Sequence, residues 1–337
     1  MIYTDFFSSS AICSLLGIRY PILQAGMGQV AYGELAAAVS AAGGLGVIGA
    51  NYLSGDDLRR EINIVRERTD KPFGVDILFG RIESTDEGSH RYSRKTEELI
   101  EVSLAERVPV LVSGLGDPAA VVARAHEQGA IVMSVVGNAR QARRVEASGV
   151  DAVIASGNEG GGHVGRVGTI SLIPAVADAV DVPVIAGGGL ADGRGLVAAL
   201  ALGAAGIWLG TRFIASHEAH GHIAYKDRIV EIDDDSTTVS RGHSGKPARL
   251  IRNAFTEHWD QKESEIRPFP QQLLEIGEPA SIKGRLEGDI DQGVLPAGQS
   301  AAMIHQIKPA AEIVADIVAE ANDVLQSMKE FSERFGA

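Results

Sequence analysis

The chain has 337 residues, 45% of them hydrophobic, and a formal net charge of −13. That excess of acid argues against non-specific binding to nucleic acid or to an anionic membrane, and the apolar content is enough to bury a large core. The single cysteine, Cys13, excludes an intrachain disulfide and any cysteine-built metal cluster, and reads as a small buried hydrophobe rather than a nucleophile.

The first residues, Met-Ile-Tyr-Thr-Asp, lack a basic start, and no apolar run is long enough to span a membrane, so a cytoplasmic enzyme is expected. Short apolar runs then recur at residues 21–27, 44–49, 73–79, 108–113, 130–135, 152–156, 183–186 and 205–210, the pattern of strands covered on both faces. Between them, residues 32–42, 54–69, 97–105, 117–128, 138–148, 171–179 and 193–201 can form helices. This alternation predicts an α/β fold, a TIM (β/α)8 barrel rather than an open doubly wound sheet, with the turns after the strands gathered on one rim. The polar stretch 82–94 after the third strand reads as an exposed loop able to cover that rim.

Past residue 213 the rhythm stops. Residues 214–305 are rich in charge and contain prolines, and read as a smaller helical cap subdomain inserted after strand 8 that shields the barrel mouth from water. Residues 309–335 resemble a closing amphipathic helix. The expected organisation is a barrel over 1–213, a helical cap over 214–305 and a C-terminal helical region, 306–337, packing back on the barrel.

Three successive strand ends carry the chemistry. The run Ala155-Ser-Gly-Asn-Glu-Gly-Gly-Gly-His-Val-Gly165 opens from an apolar strand into glycines around one histidine, His163, letting a ligand approach the main chain beside an imidazole. Gly187, Gly188 and Gly189 follow the seventh strand, and Gly210 and Thr211 the eighth, where barrel turns offer backbone donors to a phosphate. After the first strand, Leu23-Gln-Ala-Gly-Met-Gly28 brings bare backbone under a flat ring such as an isoalloxazine, with Met27 equally readable as core filling. Gly26 and Gly28 supply only G-x-G, so a Rossmann fingerprint is not formed.

Other side chains keep two readings. Glu159 is either a helix-start carboxylate or an orienter of His163, and Gln299 can reach the pocket from a late loop. His217, His220 and His222 do not match the zincin H-E-x-x-H spacing, and no metal site is expected. The basic segment 241–252 suits either an anionic ligand or charge pairing within the cap.

Pro21-Ile-Leu-Gln-Ala-Gly-Met-Gly28, Gly44-Leu-Gly46, Phe73-Gly-Val-Asp76, Glu159-Gly-Gly-Gly-His163, Ala186-Gly-Gly-Gly189, Trp208-Leu-Gly-Thr-Arg-Phe213 and Ala297-Gly-Gln-Ser300 together resemble the nitronate monooxygenase family, also called 2-nitropropane dioxygenases. The resemblance covers nearly the whole chain. It implies an FMN-dependent barrel that oxidises alkyl nitronates with molecular oxygen to carbonyl compounds and nitrite, with neutral nitroalkanes as a further candidate substrate. It implies His163 as the catalytic histidine, Gly187, Gly189, Gly210 and Thr211 at the FMN phosphate, and Ala25, Gly26 and Met27 along the ring. Asp76 stands where the family frequently has an asparagine near the flavin. An ionised carboxylate there would repel a phosphate, so Asp76 points away, takes a proton or pairs with a cation. The expected partners are oxygen and a small nitronate or nitroalkane, with a monomer or homodimer as the assembly.

The enzyme alternative is an FMN-dependent NAD(P)H oxidoreductase acting on enoyl thioesters or quinones. Chemistry of the IMP dehydrogenase type is disfavoured because Cys13 precedes the first strand instead of lying on a rim loop. A non-catalytic flavin-binding module would keep the phosphate turns without needing His163.

Overall fold

The computed structural model describes residues 4–79 and 92–335. Strands run at β1 (Ile22–Gln24), β2 (Gly46–Gly49), β3 (Phe73–Phe79), β4 (Val110–Gly116), β5 (Ile131–Val136), β6 (Ala152–Ser156), β7 (Gly162–His163), β8 (Val184–Gly187), β9 (Gly206–Leu209), β10 (Thr237–Ser240) and β11 (Ala248–Ile251). All but β7, β10 and β11 form one parallel sheet in the order β1-β9-β8-β6-β5-β4-β3-β2. Its two ends meet: Leu23 bridges Leu45 in parallel, the Gln24 N–H donates to the Leu45 carbonyl at 2.9 Å, and the Leu45 N–H donates to Ile22 at 3.0 Å. The sheet is therefore a closed barrel. Its thin closing seam is reinforced by the buried Gln24 amide, which accepts from the Val47 N–H at 3.0 Å and donates to the Val47 carbonyl at 3.1 Å.

The helices are α1 (Thr4–Ser8), α2 (Ala11–Leu16), α3 (Gly33–Ala41), α4 (Gly55–Arg68), α5 (Arg94–Ala105), α6 (Ala119–Glu127), α7 (Ala139–Ala147), α8 (Thr169–Ala177), α9 (Gly193–Ala201), α10 (Thr211–Ile214), α11 (Ile223–Glu231), α12 (Ala254–Gln261), α13 (Glu278–Arg285) and α14 (Ala310–Phe335). Strand alternation sorts the apolar side chains into two layers. Leu23, Val47, Val112, Met133, Ile154, Ile185 and Trp208 pack together inside the barrel, while Ile48, Val75, Leu111, Val132, Val153 and Ile207 meet the surrounding helices. Ile12, Cys13 and Leu16 of α2 join the inner cluster and plug the barrel floor. Cys13 is the buried packing residue its sequence context indicates, and burial pushes its thiol up to about 12.

Every predicted strand has its counterpart; β3 and β6 match at both ends, and the others have shifted ends. The first stops at Gln24, because Ala25 to Met27 leave the sheet to line the rim. β8, the counterpart of the seventh predicted strand, runs through Gly187, one residue beyond the predicted end. The polar stretch 82–94 lies outside the described residues as far as residue 91, and Arg94 already opens α5.

The segment after β9 carries the short helices α11 to α13 and also the strands β10 and β11, which form an antiparallel sheet with β7 of the glycine loop in the order β10-β11-β7. Four-residue strands are too short to stand out from a charged, irregular sequence by alternation alone. The last helix, α14, lies against α9 and α3, where the Gly193 N–H donates to Glu320 Oε2 at 3.0 Å. No helix among the described residues is long and apolar enough to cross a membrane.

Candidate functional site

The rim loops enclose a cavity of about 230 Å³. Ala25, Gly26 and Met27 reach it from the turn after β1, Asp76 from β3, His163 from β7, Gly189 from the turn after β8, and Gly210 and Thr211 from the turn after β9. Two predicted members are placed elsewhere. Gly187 is the buried last residue of β8, so the open turn begins at Gly188, which does line the cavity. Gln299 is exposed and lines a neighbouring cavity of about 400 Å³, while its N–H donates to the Glu159 carbonyl at 2.9 Å.

The glycine turns form a donor surface. Gly188 and Gly189 hold φ of +92° and +73°, values that L side chains rarely adopt, and a Cβ at Gly188 would come within 2.9 Å of the Gly157 carbonyl. Among the described residues no acceptor takes the N–H groups of Gly188, Gly189, Gly210 or Thr211. Thr211 Oγ1 accepts from the Gly298 N–H at 2.9 Å, which turns its own hydrogen to other use. Four open amides and a hydroxyl on two adjacent turns are the chemistry an anion such as a phosphate requires.

The cap sheet fixes the histidine. β7 pairs with β11, Ala248 opposite His163 and Arg249 opposite Gly162. The buried Arg249 donates to the Asn158 carbonyl and to Asn158 Oδ1, both at 2.9 Å, and to Thr237 Oγ1 at 3.1 Å, anchoring the glycine loop to the cap. His163 Nε2 lies 2.7 Å from Ser244 Oγ, and its ring stacks on His243 with centroids 5.8 Å apart. Burial, helped by the Lys246 and Arg285 charges, brings His163 down to about 4, so the imidazole is neutral at pH 7. His243 is also held well below the usual range by burial, and its Nδ1 is buried without a partner. Lys246 stands 4.0 Å from the centre of the Phe269 ring, and among the described residues no carboxylate pairs with it. Arg285 Nη1 donates to the Gly28 carbonyl at 3.0 Å, tying α13 to the turn after β1.

Glu159 proves to be the helix-start carboxylate: it accepts from the Thr169 N–H at 3.0 and 2.9 Å and from Thr169 Oγ1 at 2.9 Å, at the start of α8. Met27 both packs on the core and lines the cavity. His222 caps α11 by accepting from the Ala224 N–H at 3.1 Å, and His220 packs on Tyr32. Among the described residues no group of three His, Cys, Asp or Glu side chains is arranged to hold a metal. The sequence reading passes over Ser244, His243, Tyr225 and Arg285, all brought in by the cap. Its one signal is the basic segment 241–252, which contains Ser244 and Lys246.

The model of nitronate monooxygenases matches residues 9–320. The chain belongs to the nitronate monooxygenase family. A probable nitronate monooxygenase of Staphylococcus aureus is 33% identical, over 95% of this chain and 99% of that protein. The FabK structure from Thermotoga maritima superposes with a TM-score of 0.87 at 40% identity, over 96% of this chain and 99% of that one. A (3aS,4S,5R,7aS)-5-hydroxy-7a-methyl-1-oxo-octahydro-1H-indene-4-carboxyl-CoA dehydrogenase of Mycobacterium tuberculosis is 34% identical, over 94% of this chain and 97% of that protein. The family is one of flavin enzymes, and the cavity is lined by the open amides of Gly188, Gly189, Gly210 and Thr211 together with the bare backbone of Gly26.

Proposed function

We propose that this enzyme uses FMN to oxidise alkyl nitronates with molecular oxygen to carbonyl compounds and nitrite. The observation that carries the reading is a neutral His163, bonded to Ser244 and flanked by two cationic side chains, on the wall of a cavity with an open phosphate cradle. The Gly188, Gly189, Gly210 and Thr211 donors would hold the FMN phosphate, and Ala25, Gly26 and Met27 would flank the ring. When bound, FMN supplies the electron exchange with oxygen. The overall change balances as two nitronates and one O₂ giving two carbonyl compounds and two nitrite ions.

The residues of this chain bind and orient the anion. Ser244 Oγ accepts from the Lys246 N–H at 3.3 Å and can donate its own hydrogen to His163 Nε2. The imidazole proton then sits on Nδ1, which has no protein acceptor among the described residues and is available to a nitronate oxygen. Lys246 and Arg285 attract the anion and add to the burial that keeps His163 neutral. Burial and that field together make His163 a weak proton acceptor, so the reading favours preformed nitronates over neutral nitroalkanes.

A second reading, reduction or oxidation of an acyl thioester with a nicotinamide cofactor, has one observation in its favour. A further cavity of about 540 Å³ shares His163, Gly114, Val135 and Ser156 with the first and extends past Lys246 and Arg144, giving room for a long anionic substrate. The carboxyl-CoA relative points the same way. Anaerobic reduction of the FMN-loaded protein decides between them: bleaching of the flavin by propyl-2-nitronate alone supports the nitronate reading. Bleaching by NAD(P)H alone rejects it in favour of the second.

A further inference from the structure

Asp76 projects from β3 into a slot between two glycines. A Cβ at Gly26 or at Gly114 would collide with its carboxyl group, so the turn after β1 and the end of β4 close on it from both sides. It is 4% exposed, its Oδ1 has no hydrogen-bond partner, and among the described residues no cation pairs with it. The elements around it bring no counter-charge. Gln24 is committed to Val47, Asn51 Oδ1 accepts from the Leu78 N–H at 2.8 Å, and Tyr52 is uncharged. Of the ionisable groups on the cap side of the cavity, burial keeps His163 and His243 neutral and Arg285 is bound to the Gly28 carbonyl, while Lys246, in the adjoining cavity, stacks on Phe269.

A bare carboxylate in such a slot is strongly disfavoured, whereas a protonated one carries an O–H donor that no neighbour accepts. Burial indeed pushes Asp76 well above the usual carboxylate range, the Gly114 amide beside it acting weakly the other way. Asp76 also meets the wall formed by Gly26 and Gly114 rather than the phosphate turns after β8 and β9, so repulsion of a phosphate does not arise there.

We propose that Asp76 is kept as a neutral carboxylic acid whose O–H donates a hydrogen bond to the isoalloxazine ring of FMN. The inference rests on the FMN reading above. It makes Asp76 a cofactor-positioning residue that acts by its proton and not by its charge.

Infrared difference spectroscopy on wild type, Asp76→Asn and Asp76→Leu, each with and without FMN at pH 7, tests it together with FMN dissociation constants. The expected result is a protonated-carboxyl stretch in the wild-type apoprotein that both variants lack and that moves to lower frequency when FMN is added. Asp76→Asn retains FMN affinity within about tenfold and Asp76→Leu loses more than about tenfold, the weight of one good hydrogen bond. Absence of the band, a band unmoved by FMN, loss beyond tenfold in Asp76→Asn, or wild-type affinity in Asp76→Leu each overturns the proposal. If Asp76→Leu does not fold, the band and Asp76→Asn decide alone. Failure of FMN to bind the wild type would instead remove the FMN reading, and the apoprotein band would still report the Asp76 proton.

Discussion

His163 Nε2 and Ser244 Oγ stand 2.7 Å apart although 81 residues separate them in the chain. The first belongs to the glycine loop after β6 and the second to the turn between β10 and β11, so barrel and cap meet at one hydrogen bond beside the cavity. If His163 Nδ1 donates to the nitronate as proposed, His163→Ala removes that bond and kcat/KM for a nitronate should fall by roughly 10² to 10³. FMN content should stay as in wild type. Ser244→Ala should cost less, about tenfold, because the β7 to β11 pairing still holds the His163 backbone. Steady-state kinetics with flavin quantification checks both, and unchanged turnover in His163→Ala would sink the assignment.

The depressed His163 sets a pH signature. Its folded value of about 4 lies below its ordinary 6.5, so between those limits the unfolded chain binds the extra proton and stability rises with pH. Stability linked to this group is therefore present above pH 6.5 and lost as pH falls toward 4, by at most roughly 3 kcal/mol. His163→Gln cannot titrate there. Urea midpoints measured from pH 7 to pH 4.5 should fall more steeply in wild type than in His163→Gln, and parallel curves would show that the imidazole is not held neutral.

Removal of the Lys246 charge should move the same group. Lys246→Met takes away one of the two cations that depress His163, so the histidine should titrate at higher pH, and KM for a nitronate should rise with little change in kcat. NMR titration of His163 and initial rates at low and high ionic strength test this. A fall in kcat at constant KM would move Lys246 from binding to the reaction itself.

Thr211 has two tasks on the proposed reading. Its Oγ1 accepts from the Gly298 N–H, and its hydroxyl would donate to the FMN phosphate. Thr211→Val keeps the shape but removes both bonds. FMN affinity should weaken by about 1.5 to 3 kcal/mol, and the apoprotein should also lose about 1 to 3 kcal/mol because the Gly298 N–H is left buried and unpaired. Fluorescence titration of FMN and thermal melting of the apoprotein measure the two separately. An unchanged FMN dissociation constant would remove Thr211 from the cradle.

Much of the barrel was legible because its strands are continuous apolar runs ending in glycine, and those glycines mark the turns where a ligand meets backbone. Asp76 inside β3 is pointed to only by the family resemblance, whereas the rim residues in the turns after β1, β8 and β9, and His163 in the glycine loop, follow from that rule. Ser244, His243 and Arg285 did not, because their place in the site depends on β10 and β11 pairing with two residues of the glycine loop. A contact between residues 81 apart leaves no local period to read. The end of β8 slipped by one residue for a related reason: Ala186 and Gly187 continue the ladder against Ile207 and Trp208, and backbone pairing is indifferent to the glycine side chain.

The barrel floor should behave independently of the rim. Cys13 is packed by α2 against the inner layer, and burial raises its thiol to about 12, so at pH 8 almost no thiolate is present and no reagent reaches it. A disulfide reagent should leave the native protein unmodified and titrate one thiol once guanidinium unfolds it. Cys13→Ala should retain kcat and FMN affinity while losing about 1 kcal/mol of stability, since it removes only a small apolar group from the plug. Cys13→Ser should cost about as little, because the Phe7 carbonyl that the Cys13 thiol meets at 3.5 Å can accept from the hydroxyl. Rapid native labelling of Cys13, or a large drop in turnover for Cys13→Ala with FMN still bound, would mean that the floor communicates with the cavity. The packed layers of Val47, Val112, Met133, Ile154 and Ile185 between them argue against such a link.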